Sequence, residues 1–290
     1  MKAKVLLQID SDEHPSSFDS IVAIDSGVDR LLSYGGVSVD QVTGLIHGGM
    51  FTRGPKDLCC TAAFFGGSDV AETTRLFEQA KKCFFGPVRI SMMADPNGAN
   101  TTAVAAVLCA RRHMSFEGQR VVVLGGTGPV GRRVATLIAA QGGQVCLVSR
   151  NEERAAVACD EVRAVLGADA ELEPMSVCDS RSAVAILSSA AAVFAAGAAG
   201  VELLHESWLE SASHLKVAVD LNAVPPVGIS QIGVTDAGDV RQGVVCYGAI
   251  GVGGLKMKIH RESLQSLFAS NEVLLDLNEI YQVGTQIEAS

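Results

Sequence analysis

Basic charge is scarce in this sequence. Its 23 Lys and Arg residues are outnumbered by 32 Asp and Glu, the formal net charge is −9, and no Lys/Arg cluster is longer than a pair. The field that gathers a polyanionic backbone is missing, so nucleic acid is excluded as a partner. Long apolar runs are missing too: none approaches the roughly 20 residues that cross a bilayer. The opening Lys2-Ala3-Lys4-Val5-Leu6-Leu7-Gln8-Ile9-Asp10 meets acid before its apolar run is long enough for a signal peptide. A cytoplasmic protein with no membrane partner is expected. Metal-ligand spacing is also absent. The cysteines (Cys59, Cys60, Cys83, Cys109, Cys146, Cys159, Cys178, Cys246) form no C-x-x-C pair and have no histidine at ligand spacing. They read as small buried hydrophobes in a reducing compartment, with no metal site.

What the chain does have is apolar mass. A hydrophobic fraction of 48% with 30 glycines suits an α/β protein whose parallel strands are buried on both faces. At 290 residues it divides most naturally into two domains. Residues 4–9, 62–65 and 88–93 read as strands and 18–26, 69–82 and 98–113 as helices, the last capped by Asn97 or Asn100. The apolar pattern stops at 115–119. Strands then follow at 120–124, 144–149, 171–175, 191–195, 216–220 and 244–247, with helical stretches after the first four. This succession implies a Rossmann-type doubly wound parallel sheet. The expected organisation is an N-terminal α/β domain over 1–116, a nucleotide-binding domain over 117–250, and C-terminal helices over 251–290 packing back on the first domain. Gly251-Val252-Gly253-Gly254 reads as a turn, with helices at 255–269 and 271–283.

The most specific motif is Gly126-Thr127-Gly128-Pro129-Val130-Gly131. Three glycines at this spacing are weak evidence alone. Here they follow Val121-Val122-Val123-Leu124, open a helix with apolar residues at Val134, Leu137 and Ile138, and precede a second strand within a short span. Gly126 is expected to permit the tight turn, Gly128 to let the backbone approach a pyrophosphate, and Gly131 to let helix and strand pack closely. The helix N-terminus adds N–H donors and positive dipole.

An NAD site usually carries an acid at the end of the second strand to hold both ribose hydroxyls. That strand ends Ser149-Arg150-Asn151, and no carboxylate stands before Glu152. Arg150 offers a planar fork for a 2′-phosphate, Ser149 a hydroxyl, and Arg154 a second cation one turn on, so the cofactor expected is NADP. Ala196-Gly197 and Asn222 follow later strands and are expected to line the nucleotide crevice. On the other side, Asp95, Asn97, Asn100 and Thr102 form the densest polar cluster before the boundary, at a strand end suited to a substrate.

Together with further segments these motifs resemble the NADP-dependent methylene-tetrahydromethanopterin and methylene-tetrahydrofolate dehydrogenases of bacterial one-carbon metabolism. The resemblance rests on Pro15-Ser16-Ser17-Phe18-Asp19, Tyr34-Gly35, Thr52-Arg53-Gly54, Phe84-Phe85-Gly86-Pro87, the segment from Asp95 to Thr102, the Gly126 turn, the segment from Asn222 to Ile229, and Gly251-Val252-Gly253-Gly254-Leu255-Lys256-Met257-Lys258. It spans nearly the whole chain. It implies two α/β domains with a reduced pterin in the cleft between them, NADP on the second domain, and a homo-oligomer, a trimer. It implies further that Lys256 faces the pterin as the catalytic lysine, orienting the ring carbonyl, and that Asp19 accepts from the pterin's amino edge.

The implied reaction suits what the sequence lacks. Hydride leaves a methylene carbon flanked by two nitrogens whose lone pairs stabilise the methenyl cation, so no general base is needed. His14, His47, His113, His205, His214 and His260 are scattered, and no Ser/His/Asp or Cys/His constellation stands out. Two other readings stay open: a two-domain NADP dehydrogenase of a hydroxy or amino acid, with Lys256 or Lys56 as proton acceptor, and a non-catalytic NADP-sensing protein.

Overall fold

A computed structural model describes residues 2–177, 179–211 and 213–290. They form two compact units, one of residues 2–101 together with 257–290 and one of the described residues from 102 to 256. The division passes through two helices, whereas the sequence puts its boundaries in loops at 115–119 and 250–251.

The first unit opens with β1 (Val5–Asp10), α1 (Ser17–Asp25), β2 (Arg30–Tyr34), α2 (Val39–Phe51), β3 (Thr61–Gly66), α3 (Val70–Lys81), β4 (Ser91–Ala94) and α4 (Ala99–Arg111), the last running on into the second unit. Side chains that cap helices fix several starts: Ser16 Oγ accepts from Asp19 N at 3.2 Å, and Asp69 Oδ1 from Glu72 N at 3.0 Å. The sequence reading missed β2 and α2. The first is an exposed edge, and the second carries Gly44, Gly48 and Gly49 yet buries Val42, Ile46 and Met50 at helical spacing. Gln8, buried in the middle of β1, is satisfied by Ser20 Oγ and Ser33 Oγ donating to Oε1 at 2.8 and 2.7 Å.

The second unit continues with β5 (Arg120–Leu124), α5 (Pro129–Ala139), β6 (Gln144–Ser149), α6 (Glu152–Leu166), β7 (Leu172–Ser176), α7 (Ser180–Ile186), β8 (Ala192–Ala195), β9 (Val217–Asp220), β10 (Ala237–Arg241) and β11 (Val244–Tyr247). Helix α8 (Ala249–Ser266) leads out of it, and β12 (Leu274–Leu275) and α9 (Leu277–Ala289) complete the first unit. The expected helix at 271–283 therefore begins with a strand, because Leu274 and Leu275 pair with Met92 and Met93 of β4.

The first unit's sheet has five parallel strands in the order β12-β4-β3-β1-β2, around a core that includes Ile9, Ile46, Phe65, Leu76 and Met92. The second has seven in the order β10-β11-β9-β8-β5-β6-β7, with Val122, Val148, Phe194 and Trp208 buried. It is the doubly wound sheet expected, except that edge strand β10 runs antiparallel to β11. In each sheet the chain leaves its first strand (β1 or β5) to one side and later returns to the other. Such a reversal opens a crevice beyond the strands' carboxyl ends.

Among the described residues no helix is long and apolar enough to cross a membrane, and no group of three or more His, Cys, Asp or Glu is placed to hold a metal ion. Cys178 lies outside the described residues. The other cysteines are free thiols, all buried except half-buried Cys59, and burial pushes the Cys146 thiol up to about 12.

The glycine turn read at 251–254 does not exist. These residues lie inside α8, and Gly251 is there because an added Cβ would collide with the carbonyl oxygen of Asp236. A Cβ on Gly254 would meet nothing within 4 Å. Gly251→Ala is therefore expected to cost roughly 1–3 kcal/mol by overpacking. Gly254→Ala should stabilise by up to about 1 kcal/mol through helix propensity. Thermal unfolding of the two variants checks this, and a fall in Tm for both would contradict it.

Candidate functional site

The crevice of the second sheet opens where the chain passes from β5 into α5 on one side and leaves β8 on the other. Gly125, immediately after β5, is left-handed (φ +65°), and a Cβ there would lie 2.5 Å from Gly197 Cα and 2.7 Å from Gly197 N. The tight turn expected of Gly126 is thus made by Gly125. Gly126 instead makes room for Leu147, whose Cγ an added Cβ would approach to 2.7 Å. Gly131 packs on Gly126, with a Cβ 2.7 Å from its Cα, as the helix-to-strand approach requires. Gly128 is different: its Cβ would find only ordinary contacts at 3.7 Å, so the packing of the fold does not demand glycine there. Gly128 caps α5 in an extended conformation and Pro129 fills the first helical position. The amides of Val130 and Gly131 then open the helix.

Beyond this turn lies a cavity of about 570 Å³, lined in part by Thr127, Gly128, Pro129, Ser149, Arg150 and Arg154, and on its far wall by Ala196 and Gly197. A further pocket of about 410 Å³ adjoins Thr127 and Arg154. Of the cofactor residues named from sequence, Gly126, Val130, Gly131 and Asn222 do not line the main cavity. Asn222 is spent on its own loop: its Oδ1 accepts from Val224 N at 3.0 Å and Gly200 N at 3.4 Å, and its Nδ2 donates to the Pro226 carbonyl at 3.1 Å. Asp220 braces the same segment, accepting from Asn222 N at 3.0 Å and Ile229 N at 2.8 Å, while burial pushes its carboxyl above the ordinary range. Asp179, Glu202 and Leu203 line the cavity and were not foreseen, because they stand in loops without a motif.

The cavity's positive charge comes from the end of β6 and the start of α6, while Asp179 and Glu202 put two carboxylates in the same lining. Arg132, on the first turns of α5, is committed to an ion pair with Glu161. Among the described residues the side chains of Arg150 and Arg154 have no ion-pair or hydrogen-bond partner, although both line the cavity. Asn151 caps α6 by accepting from Arg154 N at 2.9 Å, which sets both arginines at the start of that helix. Two uncommitted guanidinium groups, one hydroxyl and no acid at the strand end fit an anionic nucleotide bearing a 2′-phosphate.

The first unit holds the other set of residues. Asp95, at the end of β4, is fully buried and is the cap that the sequence reading sought in Asn97 or Asn100. It accepts from Asn100 N at 2.9 Å, Thr101 N at 3.1 Å and Thr101 Oγ1 at 2.6 Å. The side chain of Asn100 is likewise committed, donating to the Ala94 carbonyl at 2.7 Å and to Asp276 Oδ1 at 2.9 Å. Asn97 stands apart, exposed and left-handed at φ 52°. Asp19, in the first turn of α1, is 8% exposed, and His260 of α8 lies within 4.0 Å of both Asp19 and Asp95. Nothing local points to this grouping, since residues 19, 95 and 260 share no pattern. Thr102 and Lys256, both half-buried, fall within the span of the second unit, on α4 and α8.

Residues 17–97 match the family model described as methylene-tetrahydromethanopterin dehydrogenase, N-terminal. Over 289 residues the chain is 41% identical to the bifunctional protein MdtA of Methylorubrum extorquens, covering 99% of this chain and all of that one. It is 33% identical to the NAD(P)-dependent methylenetetrahydromethanopterin dehydrogenase of the same organism, covering 99% of each. Among solved structures, a 5-ketofructose reductase from Gluconobacter shares the fold, with a TM-score of 0.53 at 14% identity over 99% of both chains.

Proposed function

The chain belongs to the methylene-tetrahydromethanopterin dehydrogenase family, and from that membership we propose how its residues divide the work of an NADP-dependent oxidoreductase of one-carbon metabolism. The reaction moves a hydride from the methylene carbon of methylene-tetrahydromethanopterin to NADP and leaves the methenyl form. The C–H bond breaks with its electron pair, the adjacent ring nitrogens delocalise the positive charge, and no proton is released. The chain therefore needs residues that bind and orient rather than a general base.

The observation that carries the reading is the cavity at the Gly125–Gly128 turn, with Arg150 and Arg154 uncommitted and no acid at the end of β6. Thr127, Gly128 and the first amides of α5 would hold the pyrophosphate, Ser149, Arg150 and Arg154 the 2′-phosphate, and Ala196 and Gly197 the far wall. Bound there, the nicotinamide supplies the hydride acceptor. Asp19 accepts hydrogen bonds from the pterin's amino edge, and Lys256 donates to its ring carbonyl. Asp95 and Asn100 serve the pterin side by fixing the start of α4, and Asn97 and Thr102 are its remaining polar contacts. Cytoplasmic location and assembly as a homotrimer belong to the same proposal, the latter open to light scattering.

Mixing the protein with NADP and methylene-tetrahydromethanopterin is expected to produce reduced nicotinamide, measured by its absorbance. The same assay with methylene-tetrahydrofolate ranks the two carriers. No reduced cofactor with either pterin would sink the reading. Lys256→Ala should retain NADP affinity and lose turnover; a variant that still formed the methenyl product at the native rate would remove Lys256 from the site.

A further inference from the structure

His260 is buried to 1% exposure between two carboxylates. Its Nε2 lies 3.9 Å from Asp19 Oδ1 and its Nδ1 4.0 Å from Asp95 Oδ2. Aromatic rings hold the plane of the imidazole: Phe64 stacks on it with centroids 5.7 Å apart at 21°, and Phe18 tilts against it at 6.3 Å. Burying an imidazole is costly unless its nitrogens face suitable partners, and two buried carboxylates facing one another would repel. One ring stands between them and turns a nitrogen toward each, at separations longer than a direct hydrogen bond.

The carboxylates are not equivalent. Asp95 is fully buried and accepts three hydrogen bonds from Asn100 and Thr101, so its position is fixed by α4. Asp19, on the first turn of α1, keeps a small exposure of 8%. The geometry is directional: a fixed acid on Nδ1, a rigid ring, and on Nε2 the acid with access to solvent.

We propose that His260 is a positioning residue for the pterin, anchored through Nδ1 by Asp95 and holding through Nε2 the Asp19 carboxylate in the orientation that receives the pterin's amino edge. This rests on the reading of Asp19 as a pterin contact. It assigns His260 no contact with substrate and no proton transfer. It also gives Asp95 a use beyond capping α4, because the cap sets the angle from which the imidazole is held.

Two amide variants separate the ring's ends. A Gln amide nitrogen reaches near the position of Nε2 and an Asn nitrogen near that of Nδ1, so His260→Gln keeps a donor toward Asp19 and His260→Asn keeps one only toward Asp95. His260→Asn is expected to raise the KM for methylene-tetrahydromethanopterin about tenfold, the scale of one lost charge-assisted interaction, with a smaller change in kcat. His260→Gln should stay within about threefold, and the KM for NADP should stay within about twofold in both. In an Asp19→Asn background the His260→Asn change should add little, since coupled residues are not additive. Equal pterin KM values for the two amide variants, an equal rise in the KM for NADP, or full additivity with Asp19→Asn would each overturn the assignment. If His260→Asn does not fold, His260→Gln decides by itself: a pterin KM within about threefold of the wild type is expected, and a rise of about tenfold or more would overturn the assignment. Wild-type protein that turned over neither pterin would overturn the pterin reading itself, and this inference with it. Wild-type turnover with the wrong variant pattern overturns His260 alone.

Discussion

Arg150→Ala is expected to raise the KM for NADP by about 10- to 100-fold and to leave that for NAD within about twofold, the range set by one or two charge-assisted hydrogen bonds to a dianionic phosphate. The asymmetry follows from the end of β6. Ser149, Arg150 and Asn151 stand where a carboxylate would hold the ribose hydroxyls of NAD, and Arg150 lines the cavity with no competing partner among the described residues. Arg150→Lys should fall between, because an ammonium keeps the charge and loses the planar fork. Arg154→Ala should follow the same direction with a smaller effect. As Arg150 is exposed, the preference for NADP should shrink as ionic strength rises. Steady-state kinetics with both nucleotides measures it, and equal weakening of NADP and NAD would remove Arg150 from the phosphate site.

The second large effect comes from the turn itself, whose glycines serve different ends. Gly125→Ala places a Cβ on a left-handed residue and 2.5 Å from Gly197 Cα, with backbone on both sides and no flexible side chain to yield. The left-handed conformation alone costs about 1–2 kcal/mol, and forcing β8's loop away from β5 adds overpacking of about 1–3 kcal/mol. Loss of NADP binding and a lowered Tm are expected together. Gly131→Ala should lower Tm as well, since its Cβ would meet Gly126 at 2.7 Å. Gly128→Ala should leave Tm within a degree or so while weakening NADP, because the Cβ meets no protein atom closer than 3.7 Å and Gly128 lines the cavity. Calorimetric unfolding set beside nucleotide titration separates the glycines the fold needs from the one the ligand needs. A Gly128 variant that bound NADP at native affinity would show that no phosphate approaches there.

The second sheet was legible because its inner strands are continuous apolar runs between punctuating glycines: 120–124, 144–149 and 244–247 were placed to the residue. Strands β2 and β10 escaped for the opposite reason. Both are exposed edges, and the pattern of Ala237-Gly238-Asp239-Val240-Arg241 carries no buried face for periodicity to detect. Gly251 to Gly254 misled because glycine in sequence looks like a turn, while the requirement at Gly251 is a carbonyl from residue 236 crossing the helix. The phosphate-binding turn was legible in type and not in detail: the left-handed residue is Gly125, one position before the motif begins. Nothing local announces His260. Its meaning comes from Asp19 and Asp95, which only the assembled first unit brings beside it.

Strand β12 has a consequence for how the chain is made. Its partner β4 is synthesised some 180 residues earlier, and the pairing of Met92 with Leu274 closes that edge of the first sheet. At about 5–20 residues per second the ribosome takes many seconds to span that interval. The second unit is continuous in sequence and can complete its core meanwhile, but the edge of β4 stays open, with unpaired amides and carbonyls that invite association with other nascent chains. The protein's period of greatest exposure to misassembly therefore lies in its biogenesis, and it ends when β12 emerges and pairs.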